Sequence, residues 1–220
     1  MALSKRLFSI FSMVEKGSVV ADIGCDHGLL SIALIQEDVC SRVYACDLRK
    51  GPLSRAQEAI SSLHLDHQIT TILTNGMDNL PEDVDTIIIA GMGFDTIQGI
   101  LERNLDKLEN YKRIIIQSNK HVDDVRRWIS EHHYTIVQED IVEEDHFYEV
   151  IAFTCSYHDS LNEDEILFGS CIQHPLFPLY WKHHLDKLVN ILSKMPSTEP
   201  TFQEYTQLKK RIEDKLKSIL

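Results

Sequence analysis

Apolar residues fall into short unbroken runs that alternate with stretches of helical spacing. Val19-Val20-Ala21-Asp22-Ile23, between Gly17 and Gly24, is a β-branched run that predicts a buried strand. Leu29, Leu30, Ile32, Ala33, Leu34 and Ile35 then predict a helix over 27–37. Arg42-Val43-Tyr44-Ala45-Cys46, closed by Asp47, predicts a second strand, and Gly51-Pro52 opens a second helix through Ala56, Ala59, Ile60 and Leu63. Ile69–Leu73, Asp85–Ala90 and Arg113–Gln117 predict three further strands, with loop and helix over 91–108 between the last two. Val122–Glu131 reads as a helix, and 133–142 with 147–156 as a closing antiparallel pair of strands. Strands alternating with helices at short spacing imply βαβ units and a mainly parallel sheet. Runs apolar at every position fit a sheet covered on both faces.

The pattern changes near Tyr157. Pro175, Pro178, Pro196 and Pro200 all lie beyond it. Trp181, Leu185, Leu188 and Leu192, then Tyr205, Leu208, Ile212, Leu216 and Ile219, alternate spacings of three and four. That is the seam of paired helices. The predicted organisation is an α/β domain over 1–157 and a coiled-coil-like helical hairpin over 158–220.

Candidate chemistry gathers at the carboxyl ends of the predicted strands, where open α/β sheets bind ligands. Asp22-Ile23-Gly24-Cys25-Asp26-His27-Gly28 lies where the first strand turns into the first helix. Gly24 permits a tight turn. Asp26 stands where the dinucleotide fingerprint G-x-G-x-x-G has its second glycine. A carboxylate there opposes a pyrophosphate and suits a cationic ligand such as S-adenosylmethionine; alternatively, Asp26 caps the helix. Asp47, roughly 20 residues beyond the turn, is placed to accept a ribose hydroxyl. Asn75-Gly76 is first a turn signal, and a loop there can also hold an adenine. Ala90-Gly91-Met92-Gly93 lets backbone approach a ligand, with Met92 as a polarizable surface. Gln117-Ser118-Asn119 places three polar residues directly after Ile116.

Composition narrows the function. The net charge of −12 argues against non-specific coating of nucleic acid. Local basic clusters remain at Lys5-Arg6, Arg49-Lys50, Arg126-Arg127 and Lys209-Lys210-Arg211, each read singly as a solvated surface pair. The five cysteines, Cys25, Cys40, Cys46, Cys155 and Cys171, show no metal-ligand spacing and fit a reducing compartment. The eleven histidines form no zinc frame, so no metal is expected. No apolar run approaches the roughly 18 residues of a membrane span. The amphipathic stretch 1–14 lacks a cleavage site, so the expected location is the cytoplasm.

Together these segments resemble one family, the bacterial tRNA (adenine-22-N1)-methyltransferases of the TrmK group. The residues that carry the resemblance are Ser4-Lys5-Arg6-Leu7, Asp22-x-Gly24-x-Asp26-His27-x-x-Leu30, Asn75-Gly76, Ala90-Gly91-Met92-Gly93, Gln117-x-Asn119, Asp124-x-Arg126-x-Trp128-Ile129, Phe147-Tyr148-Glu149 and the C-terminal hairpin. Phe94 stands where the family often has a further glycine, Ser118 where it often has proline, and Asp47 where it often has glutamate. Phe94 is therefore expected to narrow the substrate mouth.

The resemblance implies a Rossmann-like class I methyltransferase fold and S-adenosylmethionine as cofactor. It implies cofactor contacts from Asp22, Gly24, Asp26, His27, Asp47, Leu48, Asn75, Gly76, Ala90, Gly91 and Met92. It implies substrate contacts from Lys5, Arg6, Phe94 and Gln117, and catalytic roles for Asp26 and Asn119. The partner is tRNA, docked on Lys5, Arg6 and the Lys209-Lys210-Arg211-Lys215-Lys217 run, and the chain is expected to act as a monomer. Three other readings stay open on the residues: a nicotinamide oxidoreductase, which Asp26 disfavours; a methyltransferase for another acceptor; and a non-catalytic RNA-binding module on the same fold.

Overall fold

A computed structural model describes residues 3–219. The first compact unit extends to Cys171 and the second begins at Ile172.

In the first unit, β1 (Ser18–Ile23), β2 (Cys40–Asp47), β3 (Ile69–Leu73), β4 (Thr86–Met92), β5 (Arg113–Ser118), β6 (Tyr134–Glu143) and β7 (Phe147–Tyr157) form one sheet of order β3-β2-β1-β4-β5-β7-β6. The five strands β1 to β5 run parallel, and β7 lies antiparallel between β5 and β6. The unbroken isoleucine runs are explained by strand alternation. Ile88 and Ile115 face the layer formed by α1 (Lys5–Ser12), α2 (Leu29–Gln36) and α3 (Lys50–Ser62). Ile87, Ile89, Ile114 and Ile116 face α4 (Phe94–Glu102) and α5 (Val122–Glu131). Each such side chain contributes roughly 1.5–3 kcal/mol on burial. Strand order reverses between β1 and β4, which opens a crevice at their carboxyl ends.

Two details position the site. The Ser4 hydroxyl accepts from the Leu7 N–H at 3.3 Å and caps α1. Ser9 donates to Asp140 on β6 at 2.6 Å, which holds α1 across the sheet. The ladder between β4 and β5 shifts register between Ala90 and Met92, so Gly91 (φ +75°) stands out as a bulge.

The first compact unit continues past residue 157. A helix that the spacing did not reveal, α6 (Glu163–Phe168), follows β7, and a capping box of Asn162 and Glu165 starts it. A buried ion cluster fastens this segment. Arg126, 1% exposed, pairs with Glu139 at 2.6 Å and with Glu149. Glu139 also accepts from the Ser170 N–H. Gly169 lies so close that a Cβ there would come within 2.8 Å of three guanidinium atoms. Arg126 is thus not the surface residue its pairing with Arg127 suggests, whereas Arg127 meets Glu163 at 3.0 Å in the open.

The second unit is a helix pair, α7 (Phe177–Lys194) and α8 (Phe202–Ile219), packed on each other. Leu188 and Ile212 are buried, as the spacing of threes and fours predicts.

Candidate active site

The carboxyl ends of β1, β2 and β4, with α1 and α4, surround a cavity of about 710 Å³. That is within the range of small-molecule sites.

The β1–α2 turn is its floor. The N–H groups of Gly24 and Cys25 both donate to the Cys46 carbonyl, at 2.8 and 2.9 Å, so the turn is pinned to the end of β2. Gly24 has φ +79°, and a Cβ there would stand 2.5 Å from the Met92 methyl. Asp26 has φ +49°. The chain therefore keeps the left-handed geometry of a glycine at a position occupied by a carboxylate, a conformation Asp tolerates better than most residues. The helix-cap alternative for Asp26 fails, because Gly28 occupies the N-cap of α2 and no side chain caps it. The Asp26 carboxylate remains largely exposed, 3.5 Å from His27 Nε2.

Asp22 and Asp47 are both buried and both line the cavity. Asp22 accepts from the Ser31 hydroxyl at 2.7 Å. Burial raises its pKa to about 6; the Ser31 hydrogen bond opposes the rise and the neighbouring Asp47 adds to it. Asp47 accepts from the Arg49 N–H at 2.8 Å, with the Arg49 Nε at 3.6 Å. Two buried carboxylates, of which Asp22 meets no cation among the described residues, make a poor seat for a pyrophosphate and a good one for a ligand carrying ammonium, sulfonium and ribose hydroxyls. The donor set fits S-adenosylmethionine. Cys25 and Cys46 sit beside these acids. Burial first, then the charge of Asp22, raises both thiols, Cys46 to about 12 and Cys25 further, so neither supplies a thiolate.

Of the remaining expected cofactor residues, His27, Leu48, Asn75, Gly76, Ala90, Gly91 and Met92 all line the cavity. Leu48 is 65% exposed at its rim. The expected substrate residues divide. Arg6 lines the cavity beside Gly91, with its guanidinium 5.6 Å from the Tyr148 ring centre. Lys5, on the same turn of α1, is exposed and does not line it. Phe94 is not part of the lining; it opens α4 and, like Met92, packs partly buried against the core. Asp95 and Thr96, which follow it, do line the cavity. Gln117 is fully buried, and Asn119 beyond it is exposed.

Leu7, Leu29, Ile100 and Arg103 also line the cavity and were not expected. Arg103 reaches Asn75 Oδ1 at 3.5 Å and passes Gly76 and Gly99. Its signal was faint, being one helical turn after Gly99 on a helix whose start the sequence did not define. His121, Asp123 and Asp124 bring ligand atoms within 4.8 Å of one another at the start of α5, but none of the three lines the cavity. All five cysteines are free, as expected.

The comparisons with known proteins agree with this geometry. The pattern of the family TrmK, tRNA (adenine(22)-N(1))-methyltransferase, matches residues 20–218. The tRNA (adenine(22)-N(1))-methyltransferase of Bacillus subtilis is 30% identical over 224 residues, covering 96% of this chain and 94% of that protein. The structure of M. capricolum TrmK in complex with S-adenosyl-homocysteine superposes with a TM-score of 0.89 at 31% identity, over 100% of both chains. A Streptococcus pneumoniae relative solved with S-adenosyl-L-methionine gives 0.89 at 31% identity, over 98% of this chain and 100% of that one. With the family pattern spanning both units, this chain belongs to the TrmK family of tRNA (adenine(22)-N(1))-methyltransferases.

Proposed function

We propose that the chain methylates N1 of adenine 22 in tRNA, with S-adenosylmethionine held by Asp22, Asp47 and the Gly24–His27 turn. The observation that carries the cofactor reading is the pair of buried carboxylates around a turn whose phosphate-facing glycine is Asp26. The relatives with bound S-adenosyl-homocysteine and S-adenosyl-L-methionine support it. When bound, the cofactor supplies a methyl group made electrophilic by its sulfonium.

What the residues do follows from the acceptor. Neutral adenine N1 already carries a lone pair, so no strong base has to act first. The base must leave its stack for its Watson–Crick edge to be reached. Alignment is then the main task, and can supply on the order of 7–11 kcal/mol. The methylated base is cationic. In this reading the exposed Asp26 carboxylate, on the turn that lines the cavity, stabilises the charge that develops beside the exocyclic amine. Asn119 orients the base, and the exposed Lys5 meets the RNA backbone.

The second unit carries Lys209, Lys210, Arg211, Lys215 and Lys217 as the basic run for tRNA; Lys209 also meets Glu213 at 3.5 Å and Lys217 meets Asp214 at 3.8 Å. Among the described residues no helix is long and apolar enough to cross a membrane. A monomer in the cytoplasm is the working form we propose.

The test is direct. Purified protein is incubated with S-adenosylmethionine and unmodified tRNA, the RNA is digested, and 1-methyladenosine is sought by mass spectrometry and mapped. Its appearance at adenine 22 is the expected outcome. Measurable cofactor binding with no methylated adenosine would keep the cofactor site and overturn the acceptor.

A further inference from the structure

Gln117 was expected to touch substrate, yet it is 0% exposed and its amide is engaged on both sides. Its Oε1 accepts from Arg6 Nη1 at 2.8 Å and from the Gly91 N–H at 3.1 Å. Its Nε2 donates to Asn119 Oδ1 at 3.2 Å. Asn119 in turn donates from Nδ2 to the Gly91 carbonyl at 2.8 Å, and from its backbone N–H to the Met92 carbonyl at 2.8 Å. The side chains of Gln117 and Asn119 thus close a ring through the two backbone groups of Gly91.

The orientation of both amides follows from the inventory of protons. A guanidinium nitrogen and a backbone N–H can only donate. Both face one atom of Gln117, so that atom is the oxygen. The opposite end of the amide must then be the NH2 group, which obliges Asn119 to present its oxygen. That leaves the Asn119 NH2 group for the Gly91 carbonyl, which can only accept. No step in this chain is reversible without setting donor against donor or acceptor against acceptor. Because Gln117 is buried, either mismatch leaves a polar group without water, at a cost of about 1–3 kcal/mol.

We propose that Gln117 is a positioning residue for methyl transfer: it makes no contact with substrate, and it fixes the direction of the Asn119 amide and the place of Arg6, which lines the cavity beside Gly91. This rests on the methyltransferase reading above. What Asn119 has left for the base is one N–H and one lone pair, aimed in a direction set from behind.

Gln117→Glu tests the proposal because it separates the two sides of the residue. A carboxylate still accepts from Arg6 and Gly91, but it can no longer donate to Asn119. Gln117→Met keeps the volume and removes all three bonds, and it serves where a buried carboxylate prevents folding. With saturating tRNA and cofactor, either variant is expected to lower kcat at least tenfold while the Kd for S-adenosylmethionine changes less than threefold. The double variant Gln117→Glu, Asn119→Ala is expected to turn over within threefold of Asn119→Ala alone, because Gln117→Glu keeps Arg6 in place and both changes then break one device. A kcat within twofold of wild type, or losses that multiply in the double variant, would overturn the proposal.

A second readout needs no turnover: the side-chain amide NMR signals of Asn119 move in Gln117→Glu, and unchanged signals would overturn the proposal as well. The yield of 1-methyladenosine from the wild-type chain, in the same assay, separately reports whether the reaction itself has been assigned correctly.

Discussion

The molecule buries acidic side chains in two places, and it treats them differently. Beneath α6, Glu139 and Glu149 enclose Arg126, and the Ser170 N–H adds a further bond. At the cavity, Asp22 is equally buried but among the described residues pairs with no cation; a single hydroxyl holds it. Proximity to Glu139 and Glu149 outweighs burial and raises the pKa of the Arg126 guanidinium. Burial shifts Asp22 the opposite way for an acid, toward its uncharged form. The first cluster is complete within the chain, so its role is to hold the chain together. In the second, the Asp22 carboxylate meets no cation among the described residues, which is the mark of a binding site.

The largest way to break this contrast is Arg126→Ala. It leaves two buried carboxylates facing each other and should cost about 3–5 kcal/mol of stability. The measurement is denaturant unfolding; a loss below about 1 kcal/mol would mean that the cluster is not buried in solution.

Asp22→Asn acts in the opposite sense. At neutral pH it should raise the stability of the cofactor-free protein by about 1–3 kcal/mol, because a buried charge short of a partner is removed. It should also weaken S-adenosylmethionine binding at least tenfold. The pH dependence has a defined sign. The folded-state pKa of about 6 lies above the ordinary aspartate value of 3.8, so between the two the native state binds more protons than the unfolded one. The cofactor-free protein therefore loses stability from this group as pH rises through that window. Affinity for the cationic cofactor changes the other way, strengthening as pH rises through about 6. Titrating both quantities in wild type and Asp22→Asn tests the pair, and parallel rather than opposed trends would refute it.

The smallest effect on stability comes from Asp26→Gly. A non-glycine residue at φ +49° stores a modest strain, so the glycine variant should melt at the same temperature or slightly higher. Methyl transfer should nevertheless fall at least tenfold. A variant that is destabilised and still active would show the carboxylate to be structural.

Much of this was legible in the chain. The isoleucine runs at 87–89 and 114–116 announce strands covered on both faces, and the spacing of 122–131 predicts α5 to the residue. The glycine turn and the acid ending β2 mark the cofactor end of the sheet. Less legible was anything that depends on contacts between distant segments. Asp124-x-Arg126-x-Trp128 and Phe147-Tyr148-Glu149 read as two separate motifs, and only the packing of α5 on β7 reveals Arg126 and Glu149 as one ion pair. Sequence cannot say which way the first residue of α4 faces, and Phe94 packs partly buried against the core. The short α6 escaped detection because six residues provide too little periodicity to distinguish a helix from a polar loop.

The bulge at Gly91 has a consequence for how such a site can be lost. In a parallel ladder every N–H and C=O of an inner strand is taken by its neighbours. The slip between Ala90 and Met92 releases one such pair, and Gln117 and Asn119 take it up. A chain shortened by that one residue would have a more regular sheet, the same strand order and the same core. It would also have no released backbone pair for Gln117 and Asn119 to hold: a deletion silent in the fold that removes the means of aiming the Asn119 amide.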